Sequence, residues 1–150
     1  MRGIGLSLAV LVGVAACGGG GGDADQDVVQ RVDSVALAAE AYDSAAFDTI
    51  TWESEAKATE RGGVVWAYSC QKCHGERGRG DAGFVMHGDT LEPPSFLAMD
   101  WEYASDPEGV RQAIFTGNRE GMPHWGLVGL KPKDIEAVTI YILQDLRGGD

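Results

Sequence analysis

The chain has 150 residues, of which 44% are hydrophobic, and a formal net charge of −11. This length suits one domain with extensions, and the apolar fraction is sufficient for a globular core. Acidic residues dominate and no basic stripe is present that would neutralise phosphates, which argues against nucleic-acid binding. The charge is uneven, because residues 18–55 contain nine acids and a single base, Arg31.

The N-terminus has the pattern of a secretory signal peptide. Its apolar run, residues 4–16, is too short to cross a hydrocarbon core as a helix, since crossing takes about 20 residues. The sequence VAAC at Val14–Cys17 resembles the lipobox of bacterial lipoproteins, in which the peptide is cut before a cysteine that then receives lipid. The alternative is an ordinary signal peptide with a stray cysteine. The resemblance implies removal of residues 1–16 and lipid on Cys17. It also implies a location in the bacterial cell envelope, on the periplasmic face of a membrane.

Residues 17–55 form a predicted linker. Five glycines follow Cys17, and such a stretch is typical of a flexible tether. Apolar residues at helical spacing near 26–46 indicate a marginal helix within an otherwise acidic segment. We therefore expect a lipidated cysteine and a glycine-rich, acidic, partly helix-prone linker before a domain at residues 56–150.

Helical patterns recur along this domain. The first predicted helix leads into Cys70, with Ser54 or Thr59 as its N-cap, and its two glycines, at 62 and 63, suggest close approach by another element. A second helix begins at Ser105 or Asp106 and ends at Gly117.

The C-terminal helix spans 132–148 and has the clearest apolar face. No alternating strand pattern is visible. The fold class is therefore all-α, with three to four helices and long loops.

The sequence CQKCH at Cys70–His74 carries the most specific chemistry. A thioredoxin-like redox pair requires a βαβ context, and a zinc site requires a second ligand pair, neither of which the sequence contains. The spacing C-x-x-C-H is instead the attachment signature of c-type haem. It predicts thioether bonds from Cys70 and Cys73 to one haem c, with His74 as an axial ligand of the iron.

These residues make the chain similar to class I, single-haem cytochromes c. In that family a glycine lies eight residues before the first cysteine and an aromatic residue four before it, which matches Gly62 and Trp66. An aromatic residue of the family's last helix packs across the first helix, and Tyr141 occupies this position. The resemblance covers about residues 57–146 and implies the all-α cytochrome c fold around one covalent haem.

The sixth iron ligand is predicted to be Met122, which lies in the sequence GMPHW. Gly121 permits close backbone approach and Pro123 stiffens the loop, as in the family's loop for an axial methionine. The other candidates are methionines and histidines of the loops: Met86, Met99, His87 and His124. A His/Met pair raises the reduction potential, because methionine stabilises ferrous iron.

Further residues are candidates for the haem pocket. Pro93 or Pro94 is expected to offer a carbonyl to the Nδ1–H of His74, as the family resemblance implies. Trp66, Trp101 and Trp125 are candidate pocket residues, with packing in the core as the alternative for the tryptophans. Three arginines are candidate partners of the haem propionates, with solvent exposure as the alternative: Arg77, Arg79 and Arg119.

The function implied by the family resemblance is electron transfer in a respiratory chain. The donor is expected to be a quinol-oxidising complex or a dehydrogenase, and the acceptor a terminal oxidase or another reductase. No small-molecule substrate is transformed, so the chain is not expected to be an enzyme. Two alternatives remain: a haem c subunit fixed within a larger oxidoreductase, and a haem sensor or peroxidase-like protein with an open sixth position.

Overall fold

The computed structural model describes residues 33–149. The predicted signal peptide, the lipidation site Cys17 and the glycine-rich stretch lie outside these residues. The α-helices are α1 (Ser34–Ala41), α2 (Ala45–Asp48), α3 (Glu55–Val65), α4 (Gln71–His74), α5 (Pro107–Thr116), α6 (Trp125–Val128) and α7 (Pro132–Ile140). Two π-helical turns, Trp66–Cys70 and Tyr141–Leu146, continue α3 and α7. A short hairpin contains β1 (Val85–Met86) and β2 (Asp89–Thr90).

The N-terminal helices belong to the folded domain. Asp33 caps α1 by accepting a hydrogen bond from the backbone N–H of Ala36. Ala38 is fully buried and Phe47 is 6% exposed within the main apolar core. The described residues from Asp33 onwards thus pack in one compact unit with the domain that was predicted to begin at residue 56. The acidic composition concealed this packing, because a few buried residues suffice to hold the segment while its charges face solvent.

The helix that leads to Cys70 begins as expected. Ser54 is the N-cap of α3 and its hydroxyl accepts a hydrogen bond from the backbone N–H of Lys57. The helix continues through the π-helical turn Trp66–Cys70 into α4, which ends at Gly75 with φ of 82°. Such π-helical turns are frequent at functional sites, because the extra residue re-aims the side chains that follow it.

Helix α3 crosses α7 in close contact at Gly62. A Cβ atom added at Gly62 would lie 2.2 Å from the carbonyl oxygen of Ala137, so a larger residue cannot fit there. An ion pair of 2.8 Å between Arg61 and Asp134 flanks the crossing. The predicted close approach at Gly62 is confirmed.

Helices α5 and α7 also match their sequence signals. Asp106 caps α5 by accepting from the backbone N–H of Gly109 at 2.9 Å, Pro107 occupies the first turn, and Gly117 terminates the helix. Pro132 opens α7, whose π-helical continuation ends at Leu146. Ile135 and Val138 are fully buried, as the apolar periodicity predicts.

The β-hairpin was not predicted. Two residues, His87 and Gly88, join its strands, and both have positive φ, 55° and 97°. This is the requirement of a type I′ turn, which favours hairpins. Each strand contains only two residues, which is too short for an alternating pattern to be recognised in the sequence. Within residues 33–149, none of the helices has the length and apolar character to cross a membrane.

Candidate cofactor site

One cavity of about 620 Å³ brings most of the predicted site residues together. Its lining includes Cys70, Cys73, His74, Pro94, Trp101, Met122 and Trp125. Pockets for cofactors and other small ligands usually have volumes of about 300–1,000 Å³. The lining comes from α1, the end of the helix that leads to His74, the loop before α5, α5 itself, the loop before α6 and the π-helical turn after α7. Residues far apart in the chain thus converge on one space.

Cys70 and Cys73 are free thiols at this cavity. Cys70 is 7% exposed, and burial raises the pKa of its thiol to about 12. A buried neutral thiol is a poor thiolate nucleophile and a poor metal ligand. In addition, no three His, Cys, Asp or Glu side chains between residues 33 and 149 cluster around a common metal position. Cys70, Cys73 and His74 are therefore not arranged as ligands of one ion.

His74 is held as a neutral imidazole. Burial lowers the pKa of His74 to about 4, and its ring stacks on Phe96 with centroids 4.8 Å apart. The neutral form is the one that ligates a metal. The buried Nδ1 atom has no hydrogen-bond partner among the described residues. The bond predicted from a Pro93 or Pro94 carbonyl is thus not formed, although both prolines line the cavity.

A hydrogen-bonded loop carries Met122 to the cavity. The side-chain oxygen of Asn118 accepts from the backbone N–H groups of Glu120 and Met122, each at 3.0 Å. The backbone N–H of Asn118 donates to the carbonyl oxygen of Met122, also at 3.0 Å. Sequence reasoning missed Asn118, although asparagine's tendency to bond to nearby backbone in turns was an available signal.

Gly117 is required for this loop to close. Its φ is 64°, and an added Cβ atom would lie 2.4 Å from the carbonyl oxygen of Met122. Gly121 has φ of 126°, and a Cβ atom there would lie 2.6 Å from the terminal methyl group of Met86. The loop therefore packs closely against its own start and against the β-hairpin.

The other candidate ligands lie elsewhere. Met99 is 99% exposed, and His87 lies in the exposed hairpin turn. Met86 contacts Gly121, and His124 precedes α6 as its N-cap. Of the candidate methionine and histidine partners to His74 in the described part of the chain, Met122 alone lines the cavity.

The aromatic residues divide between the cavity and the core. Trp101 and Trp125 line the cavity, whereas Trp66 lies outside its lining, 2% exposed, with its ring 6.0 Å from that of His74. Its indole N–H donates to the carbonyl oxygen of Glu76 at 3.1 Å. Phe96, which sequence reasoning missed, packs against both His74 and Trp101 at 4.8 Å.

The candidate propionate partners lie outside this cavity's lining. Arg77 and Arg79 line a separate polar pocket with Asp81. Arg119 pairs with Asp33. The aromatic packing seen for Tyr141 is as the family resemblance implies, since its ring lies 6.2 Å from that of Trp66 and 3.4 Å from a Cβ atom added at Gly63.

The segment that builds most of this cavity is similar to known proteins. Residues 57–142 match the family described as cytochrome c oxidase, cbb3-type, subunit III. The cbb3-type cytochrome c oxidase subunit FixP of Azorhizobium caulinodans is 33% identical over 92 residues, which are 61% of this chain and 28% of that protein. The subunit CcoP of Azospirillum brasilense is 29% identical over 96 residues, which are 64% of this chain and 31% of that protein. No solved structure shows a significant match.

The matched region contains the attachment sequence, the Met122 loop and the helix crossing. A c-type cytochrome carries covalently bound haem, and the cavity residues fit this group, because two free thiols and a neutral imidazole line the same cavity. The described helices agree with an all-α cytochrome c fold. Because the match covers more than half of its residues, the chain belongs to the cbb3-type cytochrome c oxidase subunit III family and is a c-type cytochrome.

Proposed function

We propose that the chain carries one haem c and transfers electrons through it. Cys70 and Cys73 form the thioether bonds, and His74 and Met122 are the axial ligands. The observation that carries this proposal is the single cavity lined by both thiols, the imidazole and the methionine. Because both axial positions are filled by the protein, the site favours electron transfer over the binding of a small molecule. The chain is then an electron carrier and not itself an enzyme.

The haem, when bound, supplies the cycling of one electron between ferrous and ferric iron. The chain's residues prepare the site for this cycle. Burial keeps His74 neutral, so its ring nitrogen is available to a metal without prior loss of a proton. The Asn118 hydrogen bonds hold the backbone of Met122, whose thioether favours the ferrous state and raises the potential. Trp101 and Trp125 add apolar walls that exclude water.

Spectroscopy of the ferric and ferrous protein tests the ligation. With His74 and Met122 bound, carbon monoxide binds poorly to the ferrous form at neutral pH. Met122→Ala is expected to lower the reduction potential and to admit carbon monoxide. Ready carbon monoxide binding by the wild type would instead favour the sensor or peroxidase-like alternative.

We also propose that Cys17 is lipidated after removal of residues 1–16 and anchors the protein to the periplasmic face of a bacterial membrane. The sequence Val14–Cys17 supports this, because it resembles a lipobox. Mass spectrometry of the membrane-extracted protein tests it. An N-terminal diacylglyceryl-cysteine at position 17 is expected, and Cys17→Ser should release the protein from the membrane fraction.

The physiological partners are proposed to be respiratory redox proteins. A quinol-oxidising complex or dehydrogenase is the expected donor, and a terminal oxidase or reductase the acceptor. A second form of the proposal makes the chain a fixed haem subunit of a larger complex. It is favoured by the relatives, which are named as subunits of cbb3-type cytochrome c oxidases. Purification in mild detergent separates the two, since a stoichiometric large partner identifies a subunit and a monomeric cytochrome identifies a free carrier.

A further inference from the structure

The segment 33–50, which precedes the family match at residues 57–142, contacts the cavity and the Met122 loop. We propose that this segment, here called the N-terminal strap, is part of the haem site. It closes one side of the cavity and positions the loop that carries Met122. The inference rests on the proposed haem ligation, but its test has an outcome of its own.

The strap forms part of the cavity wall. Val35 and Ala39 on α1 line the same cavity as His74 and Met122. Ala38, between them in sequence, is fully buried. Since Ala39 itself is solvent-exposed, α1 lies at the mouth of the cavity. A helix there restricts the access of water and small ligands.

Two aromatic residues and one hydrogen bond anchor the strap to the core. The hydroxyl of Tyr42 donates to Oε1 of Glu108 on α5 at 2.7 Å. The Tyr42 ring packs at 5.3 Å from Phe115 and at 5.9 Å from Phe47, which is itself buried. Arg111 lies over the Phe47 ring at 5.3 Å.

Arg111 connects this anchor to the rest of the domain. Its guanidinium pairs with Glu108 at 3.2 Å and with Glu136 on α7 at 2.7 Å. Glu108 therefore accepts from the strap while its partner Arg111 reaches α7. The strap is therefore linked to both α5 and α7. The charged groups in this link are partly buried, so water screens their interactions less than it screens those of exposed groups.

The strap is also joined to the loop of the sixth ligand. Asp33, which caps α1, pairs with Arg119. Arg119 follows Asn118, whose side chain holds the backbone N–H of Met122. Because both Asp33 and Arg119 are exposed, this ion pair contributes little to docking. Docking depends mainly on Ala38, Tyr42 and Phe47. The ion pair fixes the position of α1 relative to the Met122 loop.

The experiment compares Ala38→Glu with Ala36→Glu in the full-length haem-loaded protein. Ala38 is buried and Ala36 is exposed on the same helix, so the same charge is added in both variants. Imidazole binding to the ferric form reports how readily Met122 leaves the iron. Amide hydrogen exchange of α1 reports whether the strap is docked.

We expect Ala38→Glu to lose the protection of α1 amides from hydrogen exchange, because a buried carboxylate is incompatible with docking. Its ferric form should bind imidazole at least roughly tenfold faster than the wild type. Ala36→Glu is expected to match the wild type in both measurements. Loss of α1 protection with unchanged imidazole binding would overturn the proposal. Wild-type protection in Ala38→Glu would contradict the docked geometry itself.

Tyr42→Phe is the milder variant in case Ala38→Glu fails to fold. It removes the hydroxyl that bonds to Glu108 and keeps the ring. We expect faster α1 exchange and a smaller acceleration of imidazole binding, and the absence of either change would overturn the strap's role. Failure of the His74/Met122 ligation is distinguishable, since the wild-type spectrum reveals it before any variant is compared.

Discussion

The two sides of the proposed haem site are built differently. His74 ends the continuous helix made of α3, its π-helical turn and α4, and α3 crosses α7 at the buried Gly62. Met122 lies in a loop whose backbone is held by the exposed side chain of Asn118 and flanked by the strap. Buried packing between helices opens only with the whole domain, whereas exposed hydrogen bonds open locally. His74 therefore has a rigid position and Met122 an adjustable one.

The largest effect is expected from Gly62→Val, which breaks the rigid side. Its Cβ atom would overlap the carbonyl oxygen of Ala137, so the two helices must separate. We expect the free energy of unfolding to fall by about 3 kcal/mol, in the range of overpacked cores. Denaturant unfolding measures this. Gly63→Ala is the matched control, because its Cβ atom meets the Tyr141 ring at 3.4 Å, an ordinary contact. Equal destabilisation by both variants would contradict the account of the crossing.

The next effect is expected from Asn118→Ala on the adjustable side. It removes two hydrogen bonds that Asn118 accepts from the loop backbone. We expect a loss of about 1 kcal/mol in stability, because the bonds are exposed to water. Imidazole binding to the ferric form should accelerate while haem attachment at Cys70 and Cys73 is retained.

Asn118→Asp is its control, since a carboxylate keeps the acceptor for the backbone N–H of Met122. Imidazole binding near the wild-type rate is expected for it. If the alanine variant also binds imidazole at the wild-type rate, Asn118 does not position Met122.

A smaller effect is expected from Arg61→Ala at the helix crossing. The pair with Asp134 is half exposed on the arginine side, so its loss should cost about 0.5 kcal/mol. A double-mutant cycle with Asp134→Asn isolates the pair from the separate effects of each residue. The reduction potential should stay unchanged. A shift in the potential would show that the position of His74 depends on this ion pair, contrary to a rigid helix crossing.

The smallest effect is expected from Asp33→Asn on the strap. Asparagine also caps helices, so the variant removes the charge and keeps the cap. The bond from Arg119 holds the pKa of Asp33 below its usual 3.8. A lowered pKa contributes stability above the unfolded pKa, and this contribution is lost as the pH falls through the folded pKa. Chemical unfolding at neutral pH and near pH 3 should therefore show a difference from wild type that shrinks in acid. A constant difference would exclude the ion pair as its source.

Local signals predicted where three of the helices begin. Ser54, Asp106 and Pro132 begin helices in the structure as their residue types indicate. Gly62 was identified as a close approach, because glycine within a helix is costly unless another element needs the space. Such signals act between residues near in sequence, and they survive in any tertiary setting.

Other features had no local signal. Phe96 and Asn118 read as ordinary loop residues, and their roles depend on partners brought to them by the fold. The strap's composition suggested a linker, because its many acids outweigh the few residues, Ala38 and Phe47 among them, that become buried. The Pro93 or Pro94 hydrogen bond to His74, expected from family resemblance, is absent from the described structure.

Short-range spacing along the chain was enough to predict the all-α class and haem attachment at Cys70–His74. The sequence also singled out Met122, by the glycine and proline beside it. The tertiary structure was needed to show that Met122, and not Met86, Met99, His87 or His124, lines the cavity. It was also needed to place Val35 and Ala39 of the strap in the cavity wall. These outcomes depend on which distant surfaces bury each other, and burial is a property of the folded chain.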